Sequence, residues 1–326
     1  TKMMKTSRLS WLDIMKGIGI ILVVVGHISS NKIIFNWLYS FHMPLFFFAA
    51  GWVYKKKQFL IDIKRRIQTI VIPYFSFGLV VLIYWQLIER KFRYSNMSFT
   101  KALLGLLSGE YNYLDFNVHL WFLPCFFLTV ILFNVIVNIT NKKIAYIISA
   151  VMSLIFIAVP LPEMLWGLDR VFMYIAFYAI GDYISDDMIY IYIYNFNKSI
   201  QIFIAFFMMV VNFILSYFSL TTGIMWFVAG SIGVGGAMIV SNLINKNKFL
   251  EYLGQISLLI LCIHGPIYRV VVKIMSILIN VNTDIIRQNF LMTIIVVIIT
   301  LSICSIAYKI IIYIAPWMLG KRKNSL

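Results

Sequence analysis

Charged side chains are scarce in this chain. Only 12% of its 326 residues are Asp, Glu, Lys or Arg, while 62% are hydrophobic, and the mean hydropathy is +0.90. A soluble domain carries about twice that share of charge, so an ordinary water-soluble fold is excluded. Cysteine is nearly absent. Cys125, Cys262 and Cys304 all fall in apolar stretches without metal-ligand spacing, which excludes a disulfide framework and a cysteine metal site. Seven prolines and 17 glycines leave no collagen-like or disordered tract. No internal repeat, low-complexity run or linker divides the chain, so residues 1–326 are expected to form a single transmembrane domain. Acidic residues are the rarest charged class, 12 against 28 basic, giving a net charge of +16. That surplus is scattered between apolar runs, and no basic unit with interleaved aromatics stands apart. It is charge at membrane edges, facing anionic lipid, and a nucleic-acid partner is not expected.

What is present is a series of membrane-length apolar runs. They predict an all-α integral membrane protein with about ten helices near 9–29, 35–54, 68–88, 117–139, 143–161, 169–185, 199–219, 222–242, 252–279 and 289–315. The first run holds internal charges and no small-residue cleavage site, so it is expected to persist as a helix. With ten spans both termini share a side. The segments on that side, including Lys2, Lys5, Arg8, Lys55, Lys56, Lys57, Arg322 and Lys323, hold about twice as many lysines and arginines as those opposite. This predicts both termini inside, and places the acidic turn Asp186-Asp187 inside as well.

Ionisable residues within a span are costly and usually face a site or a partner. The first span contains Asp13, Lys16 and His27 on one helical face. Lys16 and His27 are eleven residues apart, about 16 Å along the axis. All four histidines, His27, His42, His119 and His264, fall in the half of the membrane away from the termini. Histidine is the natural general base at neutral pH. Simpler readings exist for three of them. His119 beside Trp121 suits the membrane interface, and His42 and His264 precede Pro44 and Pro266, where they could bond backbone freed by proline. No pair of histidines has i,i+4 spacing and acidic partners are distant, so no metal site is expected.

At these residues the chain resembles a known family. The run Leu12-Asp13, Lys16-Gly17-Ile18, then Val25-Gly26-His27, is similar to the opening helix of the acyltransferase-3 family of integral membrane acyltransferases, its sugar and polysaccharide O-acetylase branch above all. Phe41-His42-Met43-Pro44-Leu45-Phe46-Phe47-Phe48 with Gly51 resembles the second-helix signature. Further matches follow in order. They are Arg65-Arg66 leading into Ile72-Pro73-Tyr74, Leu120-Trp121-Phe122-Leu123-Pro124, Leu168-Asp169-Arg170 with Phe177 and Gly181, and Phe249 to Gly254 followed by Ser257-Leu258 and His264. One departure is Thr69, where the family's paired-arginine motif normally has another basic residue.

The resemblance implies transfer of an acetyl group from cytoplasmic acetyl-CoA, as co-substrate, to a hydroxyl of an extracytoplasmic or lipid-linked glycan at the plasma membrane and cell envelope. In that reading His27 is the catalytic base, Lys16 stabilises developing charge or steers the donor, and Asp13 tunes Lys16. Arg65 and Arg66 bind the donor phosphates, an ion class that arginine pairs well. His42, Trp121, Asp169 and Arg170 position the acceptor. Two rivals are a transporter or flippase of a glycan precursor and a non-catalytic membrane ligand-binding module. Against the first, no inverted repeat is visible.

Overall fold

The computed structural model describes residues 9–93, 95–159, 161–186 and 195–321. Lys2, Lys5, Arg8, Asp187, Arg322 and Lys323, which the orientation argument used, lie outside the described residues. Among the described residues every regular element is helical: α1 Ser10–Ile28, α2 Lys32–Trp52, α3 Phe59–Arg66, α4 Ile72–Leu87, α5 Phe99–Ser108, α6 Phe122–Ile139, α7 Lys142–Ala158, α8 Leu168–Asp186, α9 Lys198–Tyr217, α10 Gly223–Ile244, α11 Lys248–Gln255, α12 Ser257–Ile279, α13 Thr283–Gln288 and α14 Phe290–Ile314. A π-turn, Ile67–Val71, joins α3 to α4. The protein is an all-α integral membrane protein.

Eight segments among the described residues are long and apolar enough to cross a membrane. The other two of the ten expected, 143–161 and 169–185, coincide with α7 and α8. α7 has only 17 residues, and α8 carries Asp169, Arg170, Asp182 and Asp186. The charge in α8 is matched within the fold, since Asp182 accepts from Lys142 Nζ at 2.9 Å and Tyr146 Oη at 2.9 Å.

Asparagine punctuates the chain. Asn31, Asn141, Asn197, Asn247, Asn282 and Asn289 each stand just before a helix, and each side chain accepts a backbone N–H of the first turn. Asn212 of α9 donates to Ser40 Oγ of α2 and to the Ala229 carbonyl of α10. Such bonds between helices count where lipid offers no competing partner.

α1 is the central helix, packed against α2, α10, α11, α12 and α14. Its contact with α11 is the closest. Gly17 lies directly on the Leu250 backbone, and Gly254 lies on the backbone of Asp13. A side chain at either position would collide with main chain, which cannot rotate aside. This reciprocal contact sets the height of Asp13 and Lys16 against α11. Gly254→Val should therefore lower thermal stability in detergent by about 1–3 kcal/mol, the usual range for overpacking. Unchanged unfolding would show that the crossing is looser than the structure has it.

Candidate active site

Proline generates the local geometry from which the site grows. Pro266 sits inside α12 and has no N–H, so the carbonyl four residues earlier, Cys262, loses its helical donor. The Asn117 amide Nδ2 replaces it at 2.7 Å. Asn117 precedes the short 3₁₀ turn Val118–Trp121, and the bond anchors that turn against α12. His119 is thereby laid beside His264, with ring centroids 4.3 Å apart. Gly265 allows this approach, because a Cβ there would stand 2.7 Å from His119 Cδ2 and 2.9 Å from Asn117 Oδ1.

His27 reaches the same place from the end of α1. Its ring centroid is 3.9 Å from that of His119 and 5.5 Å from that of His264. Arg287 of α13 holds the end of α1, donating to the carbonyls of Ile28 at 2.9 Å and His27 at 3.4 Å. A cation at a helix C-terminus is also favourable to the helix dipole. Tyr39 Oη bonds His27 Nδ1 at 2.7 Å, and His264 Nδ1 donates to the carbonyls of Ile260 and Leu261 at 2.8 and 3.1 Å. These bonds occupy Nδ1 in both rings and leave Nε2 for other work. His264 Nε2 and both nitrogens of buried His119 have no hydrogen-bond partner among the described residues. Buried polar atoms left open in this way call for a ligand or a chemical role.

Two cavities approach this cluster from opposite ends of α1. The first, of about 1130 Å³, is lined near its mouth by Lys16, Lys55, Lys56 and Lys142 and deeper by Phe122 and Leu261. Those last two residues stand three positions from His119 and His264. The second, of about 610 Å³, is lined by His119 itself with Tyr111, Tyr268 and several charged side chains. Of the three imidazoles, His119 borders the second space directly, while the first comes within one helical turn of His119 and His264 at Phe122 and Leu261.

At the second cavity, fully buried Glu89 binds both Arg269, at 2.8 Å, and Arg93, at 3.1 Å. Asp115 pairs with Arg93 at 2.8 Å. Partial burial works against the charge on Arg93, but these two carboxylates outweigh it and raise its pKa.

The residues singled out from the sequence divide between the two ends. Asp13 and Lys16 pair at 2.6 Å, and both line the first cavity. About 16 Å of helix separates Lys16 from His27, and about 21 Å separates Asp13 from it. Arg66 is paired with Asp62 at 3.3 Å, Arg65 is exposed, and neither lines the first cavity. Lys55, Lys56 and Lys142 do, because the turn after α2 and the start of α7 meet at its mouth. His42 is buried, with Nδ1 at 2.5 Å from the Leu38 carbonyl of its own helix, and lines neither cavity. Arg170 lies 4.7 Å over both the Tyr111 and Trp121 rings, and Asp169 stands 3.8 Å from it. Through Tyr111 this group adjoins the second cavity.

His119 and His264, read above as interfacial and structural, instead complete a cluster with His27. Their sequence separation hid it, although the bias of all four histidines to one half of the membrane was a visible trace. Tyr39, Asn117 and Arg287 had no signal of their own.

The cluster can do two things chemically. One ring nitrogen from each of His27, His119 and His264 lies within 4.8 Å of the others, a spacing that could hold a divalent ion. Alternatively, an open Nε2 can take a proton from a hydroxyl.

A family model described as an acyltransferase domain, that of acyltransferase-3, matches residues 9–309. No curated protein and no solved structure matches the chain.

The Asn117 anchor has a measurable signature. Asn117→Ala should cost about 1–3 kcal/mol of stability by leaving the Cys262 carbonyl unbonded. In a Pro266→Ala background, which restores a helical N–H to that carbonyl, the same change should cost clearly less. Additive effects in thermal unfolding of the four proteins would contradict the anchor.

Proposed function

The chain belongs to the acyltransferase-3 family and is a membrane acyltransferase, and we propose that it moves an acetyl group from acetyl-CoA in the first cavity to a hydroxyl of an extracytoplasmic or lipid-linked glycan in the second. The observation that carries this reading is the cluster of His27, His119 and His264, with one cavity bordered by His119 and another lined by Phe122 and Leu261, one turn from His119 and His264. The first cavity opens at the end of α1 that the distribution of basic residues assigns to the cytoplasm. Its lining includes exposed Lys55 and Lys56 for a donor with a diphosphate and a third phosphate, and buried apolar side chains suited to the pantetheine arm. Lys55 and Lys56 meet the phosphates in this reading, and Lys16, kept in place by Asp13, steers the arm along α1.

The chemistry then needs few parts. The acceptor hydroxyl approaches His27 from the second cavity and gives its proton to Nε2 as its oxygen bonds the thioester carbon. The tetrahedral intermediate collapses with rupture of the carbon–sulfur bond, and the thiolate of CoA leaves and recovers the proton from the imidazolium. Tyr39, bonded to Nδ1, keeps the ring oriented throughout. His119 and His264 wall the reacting centre, and Trp121 and Arg170 position the sugar at its rim. In this reading the protein sits in the plasma membrane with the second cavity facing the cell envelope.

Purified protein supplied with radiolabelled acetyl-CoA and glycan tests the assignment. His27→Ala should reduce CoA release and acceptor labelling on the order of 100- to 10,000-fold while CoA still binds. Lys16→Ala should chiefly raise the KM for acetyl-CoA. Retained transfer in His27→Ala would remove His27 from the mechanism. Wild type that binds no CoA but moves a lipid-linked sugar across vesicles would replace the enzyme with a transporter.

A further inference from the structure

The second cavity has an unbalanced charge. Arg93, Arg269, Lys273 and Arg287 line it, and Asp115 is the sole carboxylate among its lining residues. Glu89, buried behind it, joins Asp115 in matching Arg93 and Arg269. Nothing acidic matches the other two, since among the described residues neither Lys273 nor Arg287 has a carboxylate within ion-pair distance. Arg287 spends its bonds on two backbone carbonyls, using Nε and Nη2, and retains further N–H donors. Lys273 is exposed on α12, one turn beyond Arg269. Unpartnered, buried His119 lines the same space.

Orientation makes the surplus harder to dismiss as incidental. Lysine and arginine are depleted from short segments on the outer side of a membrane, where this cavity lies in the reading above. Three separate segments, contributing Arg93, Arg269 with Lys273, and Arg287, nevertheless deliver basic side chains to one cavity. Its aromatic lining, Tyr111 and Tyr268, would serve a neutral sugar equally well. The two uncompensated cations would not.

We propose that the acceptor is anionic, carrying a carboxylate or phosphate that Lys273 and Arg287 hold while its hydroxyl reaches His27. This rests on the assignment of the second cavity as the acceptor site. Arg287 is the inner contact, because it is bonded to the backbone of His27 itself, and Lys273 is the outer one. A charge held there fixes which hydroxyl of the sugar meets the imidazole, so the pair determines regiochemistry as well as affinity.

Three probes decide the matter: an oligosaccharide containing glucuronate, the same oligosaccharide with its carboxyls reduced to alcohols, and the reduced form joined to a short polyprenyl diphosphate. Each is measured for binding without donor and for acetyl transfer with acetyl-CoA. A charged probe should bind at least about tenfold more tightly than the reduced one, as a charge-assisted contact requires. The glucuronate and diphosphate arms tell a carboxylate from a phosphate. Lys273→Gln, which removes no bond of the fold, should raise the acceptor KM of the charged probe about tenfold with little change in kcat. It should leave the reduced probe unaffected. Equal binding and transfer for charged and reduced probes, with no response to Lys273→Gln, would overturn the anionic acceptor and leave the acyltransferase standing. If no probe is acetylated, binding alone still decides. Preference for charge supports the anion site while the transfer reading fails, and indifference to charge overturns the anion site too.

Discussion

A single carbonyl organises the active centre. In a membrane interior each backbone polar group needs a partner within the protein, because lipid supplies none. Pro266 deprives Cys262 of its helical donor, and the fold answers with Asn117 from a distant segment. That answer fixes the turn carrying His119 against the helix carrying His264, with Gly265 leaving room for the ring. α1 needs only to end at the right height for His27 to join them. Its height is set at one end by the contact of Gly17 and Gly254 with the α11 and α1 backbones, and at the other by Arg287 on its last carbonyls.

The consequence is a thin chemical layer in a thick membrane. A hydrophilic donor and a hydrophilic acceptor on opposite sides of a bilayer are separated by about 30 Å of hydrocarbon. The two cavities shorten that distance from both ends, and aromatic side chains from α2 and α6 surround the inner one near its floor. His119 borders the outer one, and its neighbours His27 and His264 lie in contact with it. An acyl group on a long flexible arm can reach this layer from one side and a sugar hydroxyl from the other without either carrier crossing.

The sequence displayed the frame and one end of the chemistry. Apolar runs of membrane length located the helices, and Asp13, Lys16 and His27 stood out because charge inside such a run is expensive. The boundary cases α7 and α8 were legible as apolar but proved short or charged, their acids being satisfied by Lys142 and Tyr146 across the helix pair. Arg65 and Arg66 stood out beside the third apolar run, but that Lys55, Lys56 and Lys142 line the first cavity follows from helix packing, which spacing along the chain does not display. His119 and His264 could not be joined to His27 from their spacing, since the contact depends on a side chain repairing a proline break 145 residues away in sequence.

In the proposed mechanism donor and acceptor meet at the histidine cluster from opposite sides of the bilayer without sharing a compartment. The most direct measurement uses proteoliposomes with glycan acceptor trapped inside and radiolabelled acetyl-CoA added only outside. Protein molecules whose Lys16 end faces outward should label the trapped acceptor while free CoA accumulates outside. Labelling that requires acetyl-CoA and acceptor in the same compartment would contradict it.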